Sequence, residues 1–138
     1  MRALILILTL LCSGAQADPA TLAAINSSRA AQGRSALDYS PRLEAVARAH
    51  GEDMARKGFF SHTGSDGSEI GQRLSRGGYT FCFGAENIAL GQPSLEVVMA
   101  SWMKSPGHRR NILSRKAKDV GLARVTGNYW VMVLAAPC

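Results

Sequence analysis

The side chains with the most chemistry in this chain are His62, Glu86 and His108, each set beside turn-forming residues. His62 closes Phe59-Phe-Ser-His62, Glu86 sits in Gly84-Ala-Glu-Asn-Ile-Ala89, and His108 lies in Ser105-Pro-Gly-His-Arg-Arg-Asn-Ile-Leu113. An imidazole titrates near neutrality, so it can carry a proton or ligate a metal. Two imidazoles and a carboxylate are the residue mix of a zinc site, and equally of a buried polar network. Asn87 adds an amide next to Glu86, and Arg109, Arg110 and Asn111 supply polar anchors around His108. The third histidine, His50, falls on an apolar helical stripe and reads as a core histidine satisfied by hydrogen bonds. Ser61 and Ser105 lie near histidines, but no Gly-x-Ser-x-Gly elbow accompanies them. His-Glu-x-x-His is absent, which excludes a helical zinc-protease motif.

The elements that must position these groups follow from periodicity. Residues 19–32 predict a helix with Leu22, Ile25 and Ala30 on its apolar side, Asp18 as cap and Gly33 as stop. Residues 41–57 predict a second, with Leu43, Val46, Ala47, His50 and Met54 at three- and four-residue steps. Ser40 caps it, Pro41 takes the first helical position and Gly58 ends it. After the turn chemistry of residues 63–68, a short helix is expected over 70–76. Residues 79–89 suit a strand that Gly84 bends or interrupts. Ser94 caps a helix with Leu95, Val98, Met99 and Trp102 inward, which must end before Pro106. Pro106-Gly107 then places His108 on a tight turn. Residues 120–125 and 129–134 form a hairpin through Thr126-Gly127-Asn128. Helices followed by a terminal hairpin imply an α+β layering around an antiparallel sheet.

The start of the chain, a single Arg2 followed by an apolar run and Ala15-Gln-Ala17, reads as a signal peptide over residues 1–17. Residues 18–138 remain as one domain, with no further run of membrane length. Cys12 leaves with the leader, so Cys82 and Cys138 are an even pair in an exported chain, which suggests one disulfide. Two free buried thiols are the alternative. Closing a loop of this size stabilises by about 4 kcal/mol in the chain-entropy model. The net charge is +6, one unit of it on Arg2, leaving +5 after cleavage. The excess gathers in Arg109, Arg110, Arg115, Lys116 and Lys118, either a solvated face or a surface for anionic envelope polymers and headgroups. Nucleic acid is excluded as a partner for an exported chain without a reader motif.

Several segments, in this order, carry a family resemblance: Ala49-His-Gly-Glu-Asp-Met-Ala55, Phe60-Ser-His-Thr63 with Asp66-Gly67, Ala85-Glu-Asn-Ile-Ala89, Trp102-Met-Lys-Ser-Pro-Gly-His-Arg-Arg-Asn-Ile-Leu113, Val120-Gly-Leu-Ala123 and Tyr129-Trp-Val131. Together they resemble the CAP superfamily, the cysteine-rich secretory, antigen and pathogenesis-related group with its SCP-like extracellular domain, in its compact bacterial branch. The resemblance implies a three-layer α-β-α sandwich. It also implies a cleft where His62, Glu86 and His108 meet, holding a divalent metal such as zinc in some relatives. Many eukaryotic relatives carry a second glutamate three residues after the helix tryptophan, where this chain has Ser105 preceded by Lys104. One carboxylate fewer weakens metal binding; Asp66, Glu69 or Glu96 would have to compensate.

Two functions follow as expectations. One is a secreted or periplasmic binding module, with His62, Glu86, Asn87 and His108 lining a cleft for a lipid, glycan or peptide. The alternative is a metal-assisted hydrolase, with His62 and His108 as ligands and Glu86 as general base. A purely structural network of the same groups is a third possibility.

Overall fold

The computed structural model describes residues 19–138. The leader expected over residues 1–17, Cys12 and the Asp18 cap lie outside them. The chain runs α1 (Pro19–Ala30), β1 (Asp38–Tyr39), α2 (Pro41–Lys57), α3 (Ile70–Arg76), β2 (Phe81–Leu90), α4 (Leu95–Lys104), α5 (Pro106–Ile112), β3 (Asp119–Val125) and β4 (Tyr129–Pro137). The four strands form one sheet in the order β1-β3-β4-β2. β2, β3 and β4 pair antiparallel, as expected, and the two-residue β1 adds a parallel edge against Asp119 and Val120.

β4 explains why there are three layers. Its residues from Trp130 to Ala136 are all buried, and successive side chains leave a strand on opposite faces. Trp130, Met132 and Leu134 pack with Ile25 of α1, Val98, Met99 and Trp102 of α4, and Ile112 of α5. Val131, Val133 and Ala135 pack with Leu43, Val46, Ala47 and Met54 of α2 and Leu74 of α3. A strand apolar on both faces requires a helical layer on each. The α2 layer lies close: a Cβ on Gly121 of β3 would stand 2.1 Å from the backbone nitrogen of Glu44. Only glycine permits that approach.

Local chemistry sets the ends. Ser40 Oγ accepts from Leu43 N–H at the start of α2, and Gly58 closes it in the left-handed region. Ser94 Oγ accepts from Val97 N–H at the start of α4. Gly127 and Asn128 turn the hairpin with positive φ. Cys82 and Cys138 form the disulfide, with Cα atoms 4.8 Å apart.

Four expectations are corrected. Gly84 does not interrupt β2: it pairs with Ala135, and the irregularity falls between Phe81 and Phe83 instead. A Cβ on Gly84 would stand 2.7 Å from Leu74 Cδ1, so the glycine makes room for α3. Pro106-Gly107 does not hold His108 on a turn. Proline at the first helical position starts α5, and His108 lies in its first turn. On α1, Ala30 is exposed and Arg29 is buried in its stead. Glu86, expected beside turn-forming residues, lies inside the continuous strand β2.

Candidate functional site

The sheet order leaves β2 with one edge unpaired by any strand. Alternation along it sends the adjacent Glu86 and Asn87 to opposite faces. Glu86 turns toward the α2–α3 layer, as Ile88 does, and Asn87 toward α4 and α5, as Ala89 does. The free edge is covered by side chains. The Asn111 amide donates to the Glu86 carbonyl at 3.3 Å, and Trp102 Nε1–H donates to the Ile88 carbonyl at 3.2 Å. Exposed carbonyls along an edge strand are thereby removed from competition for another strand.

Glu86 is the hub of one network. His62 Nδ1–H donates to its Oε1 at 2.8 Å, and Arg73 donates to its Oε2 at 2.8 Å. The Glu86 side chain is 2% exposed, whereas that of His62 is 54% exposed. Arg73 also donates to the Ser68 carbonyl at 2.6 Å. His50 stands 3.8 Å from Glu86 Oε1. Its Nε2–H donates to the Ser61 carbonyl at 2.9 Å, which fixes the tautomer and leaves the buried Nδ1 without a partner. Burial pushes the His50 imidazole below its ordinary pKa, with Glu86 opposing. The close approach of His50 to Glu86 is therefore that of a neutral ring, not an ion pair. The hydrogen bond to Glu86 raises His62. Burial, and then the nearby His62, lower His108.

The loop carrying His62 is staked from below. Asp53 of α2 accepts from Ser65 N–H at 2.8 Å and from Ser65 Oγ at 2.7 Å. Thr63 Oγ1 donates to Glu69 Oε1 at 2.7 Å. On the other face, Asn87 Nδ2 donates to the His108 carbonyl at 3.1 Å, and Asn111 Nδ2 to Asn87 Oδ1 at 2.9 Å. The buried Arg29 of α1 grips the far end of α5, donating to the carbonyls of Ile112 at 2.6 Å and Ser114 at 2.9 Å. Arg34 adds Leu113 at 3.0 Å. Cationic donors at a helix C-terminus satisfy its orphan carbonyls. His108 is thus held through the backbone of α5, and its ring lies 6.4 Å from that of Trp102.

His62 and His108 consequently reach one hollow of about 380 Å³ from opposite layers of the sandwich, with Glu86 at its base. Ser105, Arg110 and Asn111 complete the polar lining. Asp66, Glu69 and Glu96 do not line it. Asp66 pairs with Arg76, and Glu69 starts α3, where its N–H donates to the Gln72 side chain at 2.8 Å. Glu96 sits exposed on the first turn of α4. A second hollow of about 450 Å³ opens between α2 and α3, with His50 and Arg73 in its wall.

A zinc ion takes three or four protein ligands. Here each oxygen of Glu86 already accepts a hydrogen bond, from His62 and from Arg73, and the side chain is buried, so the hollow presents two imidazoles and no open carboxylate. Among the described residues, no three His, Cys, Asp or Glu side chains form a metal-holding group. The hollow thus presents two imidazoles, fewer protein ligands than a zinc site ordinarily uses. Arg73 and His50 belong to the network although the sequence pattern did not single them out as site residues, whereas Asn111 is expected beside His108. Arg73 had one legible signal, a cation on the otherwise inward face of a helix next to Leu74.

Residues 22–134 match the model of the cysteine-rich secretory protein family, CAP. Protein YkwD of Bacillus subtilis is 34% identical over 106 residues, which are 76% of this chain and 41% of that protein. The membrane protein YlbC of the same organism is 29% identical over 68% of this chain and 27% of its own length. The chain therefore spans less than half of either relative. An extracellular protein with an SCP domain from Bacillus anthracis superposes with a TM-score of 0.80 at 26% identity, over 84% of this chain and 39% of that one. An outer surface protein of Borrelia burgdorferi gives a TM-score of 0.79 at 21% identity, over 85% of this chain and 90% of that one.

Proposed function

Because the chain belongs to the CAP family of cysteine-rich secretory proteins, we propose that it acts outside the cytoplasm as a binding module, holding its ligand in the hollow between His62 and His108. Export is part of this reading. Its support is the leader-like start of the chain and the extracellular or outer-surface character of structural relatives. Among the described residues no helix is long and apolar enough to cross a membrane.

The observation that carries the binding reading is the state of Glu86. A general base needs a lone pair within reach of the proton it takes. Both Glu86 oxygens already accept a hydrogen bond, one from His62 and one from Arg73, and burial of the side chain keeps their remaining lone pairs from a water or substrate in the hollow. What remains open is an imidazole pair flanked by a hydroxyl, an amide and a guanidinium. Those groups orient a polar ligand and leave no activated nucleophile.

The alternative, metal-assisted hydrolysis with Glu86 as base, is separated by a two-part measurement. Histidine ring resonances are followed by NMR while lipids, neutral and acidic oligosaccharides and short peptides are added. Turnover of peptide and ester substrates is assayed with and without zinc. Ligand-dependent shifts at His62 and His108 without turnover are expected. Zinc-dependent turnover that disappears in Glu86→Gln, or rings that respond to no ligand class, overturns the proposal.

A further inference from the structure

We infer that the hollow takes an anionic, hydroxyl-rich ligand, a carboxylate- or phosphate-bearing polysaccharide, with Arg110 fixing its charge preference. The inference rests on the binding reading above and names its ligand class. It starts from where the negative charge has gone. The one carboxylate at the hollow, Glu86, is buried and directly paired with Arg73. Its charge is compensated inside the protein. The place where the family resemblance leads one to expect a second carboxylate holds Ser105, which also lines the hollow.

The open wall then carries the opposite sign. Arg110 is exposed, and among the described residues it has no acidic partner within ion-pair distance. Its neighbour Arg109 is different, because its guanidinium is turned to Gln32 at 2.9 Å and does not line the hollow. Arg115 and Lys116 follow just beyond α5, exposed and likewise without acidic partners among the described residues. A guanidinium forks onto carboxylate and phosphate with two parallel hydrogen bonds. The excess of cations extends past the hollow along the chain, which suits a repeating polyanion better than a single small anion.

The lining also decides between a sugar polymer and a lipid. Among the described residues no aliphatic or aromatic hydrocarbon side chain lines this hollow. An acyl chain would find nothing apolar to bury against, and its transfer from water would gain little. The Ser105 hydroxyl, the Asn111 amide and two imidazoles instead match the hydroxyl groups of a glycan.

The probes are oligogalacturonate, neutral maltooligosaccharide of equal length, zinc chloride alone, and phosphatidylglycerol vesicles. Affinity is read by titration calorimetry and site occupancy by the His62 and His108 resonances. Oligogalacturonate is expected to bind and shift both rings, roughly tenfold more weakly in Arg110→Glu, as loss of one charge-assisted contact predicts. Binding should also weaken between about 50 and about 300 mM salt, as screening shortens the reach of exposed charges. Ser105→Glu should reduce oligogalacturonate affinity and give a zinc heat that the wild type lacks. Arg48→Glu, on an exposed face of α2, serves as the charge control and should leave binding unchanged. Equal binding of the neutral sugar, or of vesicles in place of oligogalacturonate, overturns this inference while leaving a binding module intact. Zinc binding by wild type together with indifference to oligogalacturonate does the same. Silence from every probe overturns this inference, and silence that extends to the lipids and peptides of the earlier measurement overturns the binding module as well.

Discussion

β2 and β4 run side by side in one ladder, yet their middles could hardly differ more. At the depth where β4 has Met132 and Val133, β2 has Asn87 and Glu86, their direct partners in register. All four are buried. The difference lies in what flanks each strand. β4 has a strand on both sides, so nothing can approach it laterally and only apolar side chains fill its faces. β2 has a free edge, and Asn111 and Trp102 reach its carbonyls from that side. An edge strand can therefore carry a buried polar pair that neighbouring loops and helices satisfy, and that one half-exposed imidazole connects to solvent. The site belongs to the edge for that reason.

Removing the partner of the buried charge should break this contrast most severely. Arg73→Leu leaves Glu86 buried with only the half-exposed His62 ring bonded to it, and unfolding in denaturant should show a loss of about 3–5 kcal/mol. The double variant Arg73→Leu with Glu86→Leu should recover much of it, making β2 resemble β4. If the double variant is no better than the single, charge burial is not what distinguishes the strands. On the other face of β2, Asn87→Ala strips the His108 carbonyl and Asn111 of their partner, for a loss of about 1–3 kcal/mol. The same denaturation curves measure it, and a loss below the detection limit would mean that Arg29, Arg34 and the bond from Asn111 to the Glu86 carbonyl suffice to hold α5.

The smallest effect is on pH. His50 is lowered by burial, so below its unfolded value of about 6.5 the unfolded chain takes up a proton that the native chain refuses. Its contribution is complete above that pH and is lost as pH falls toward the native value. His108, also lowered, acts in the same direction. His62, raised by Glu86, acts oppositely: its contribution is present at low pH and fades as pH rises through its native value. That ring is half in water, so solvent screens its share. Melting curves should therefore show stability declining as pH falls below about 6.5, with a shallower slope in His50→Gln. An unchanged slope in that variant would remove His50 from the account.

Much of this architecture was legible residue by residue. The caps Ser40 and Ser94, the stop at Gly58 and the stripe from Leu43 to Met54 are local signals, written in hydrogen-bonding geometry that spans a few residues. The hairpin through Gly127 and Asn128 is equally local. β1 and α5 escaped because a two-residue strand and a seven-residue helix are too short to show a period. Pro106, read as a breaker, is in fact a helix start. The same proline chemistry serves both ends, and only the residues packed against α5 select between them. Arg29 escaped because an arginine on an amphipathic helix reads as solvent-facing until a distant helix end supplies its carbonyls.

The sequence alone determined the longer elements, the cysteine pair and the identity of the three chemically apt residues, since each is encoded by short-range spacing or by residue type. Only the tertiary structure decided that Glu86 is neutralised by Arg73 and that His62 and His108 arrive from opposite layers. It also put Arg110 on the open wall. Those outcomes depend on which strand lies at the edge of the sheet and what packs beside it, and contacts between groups so far apart in the chain leave no periodic trace along it.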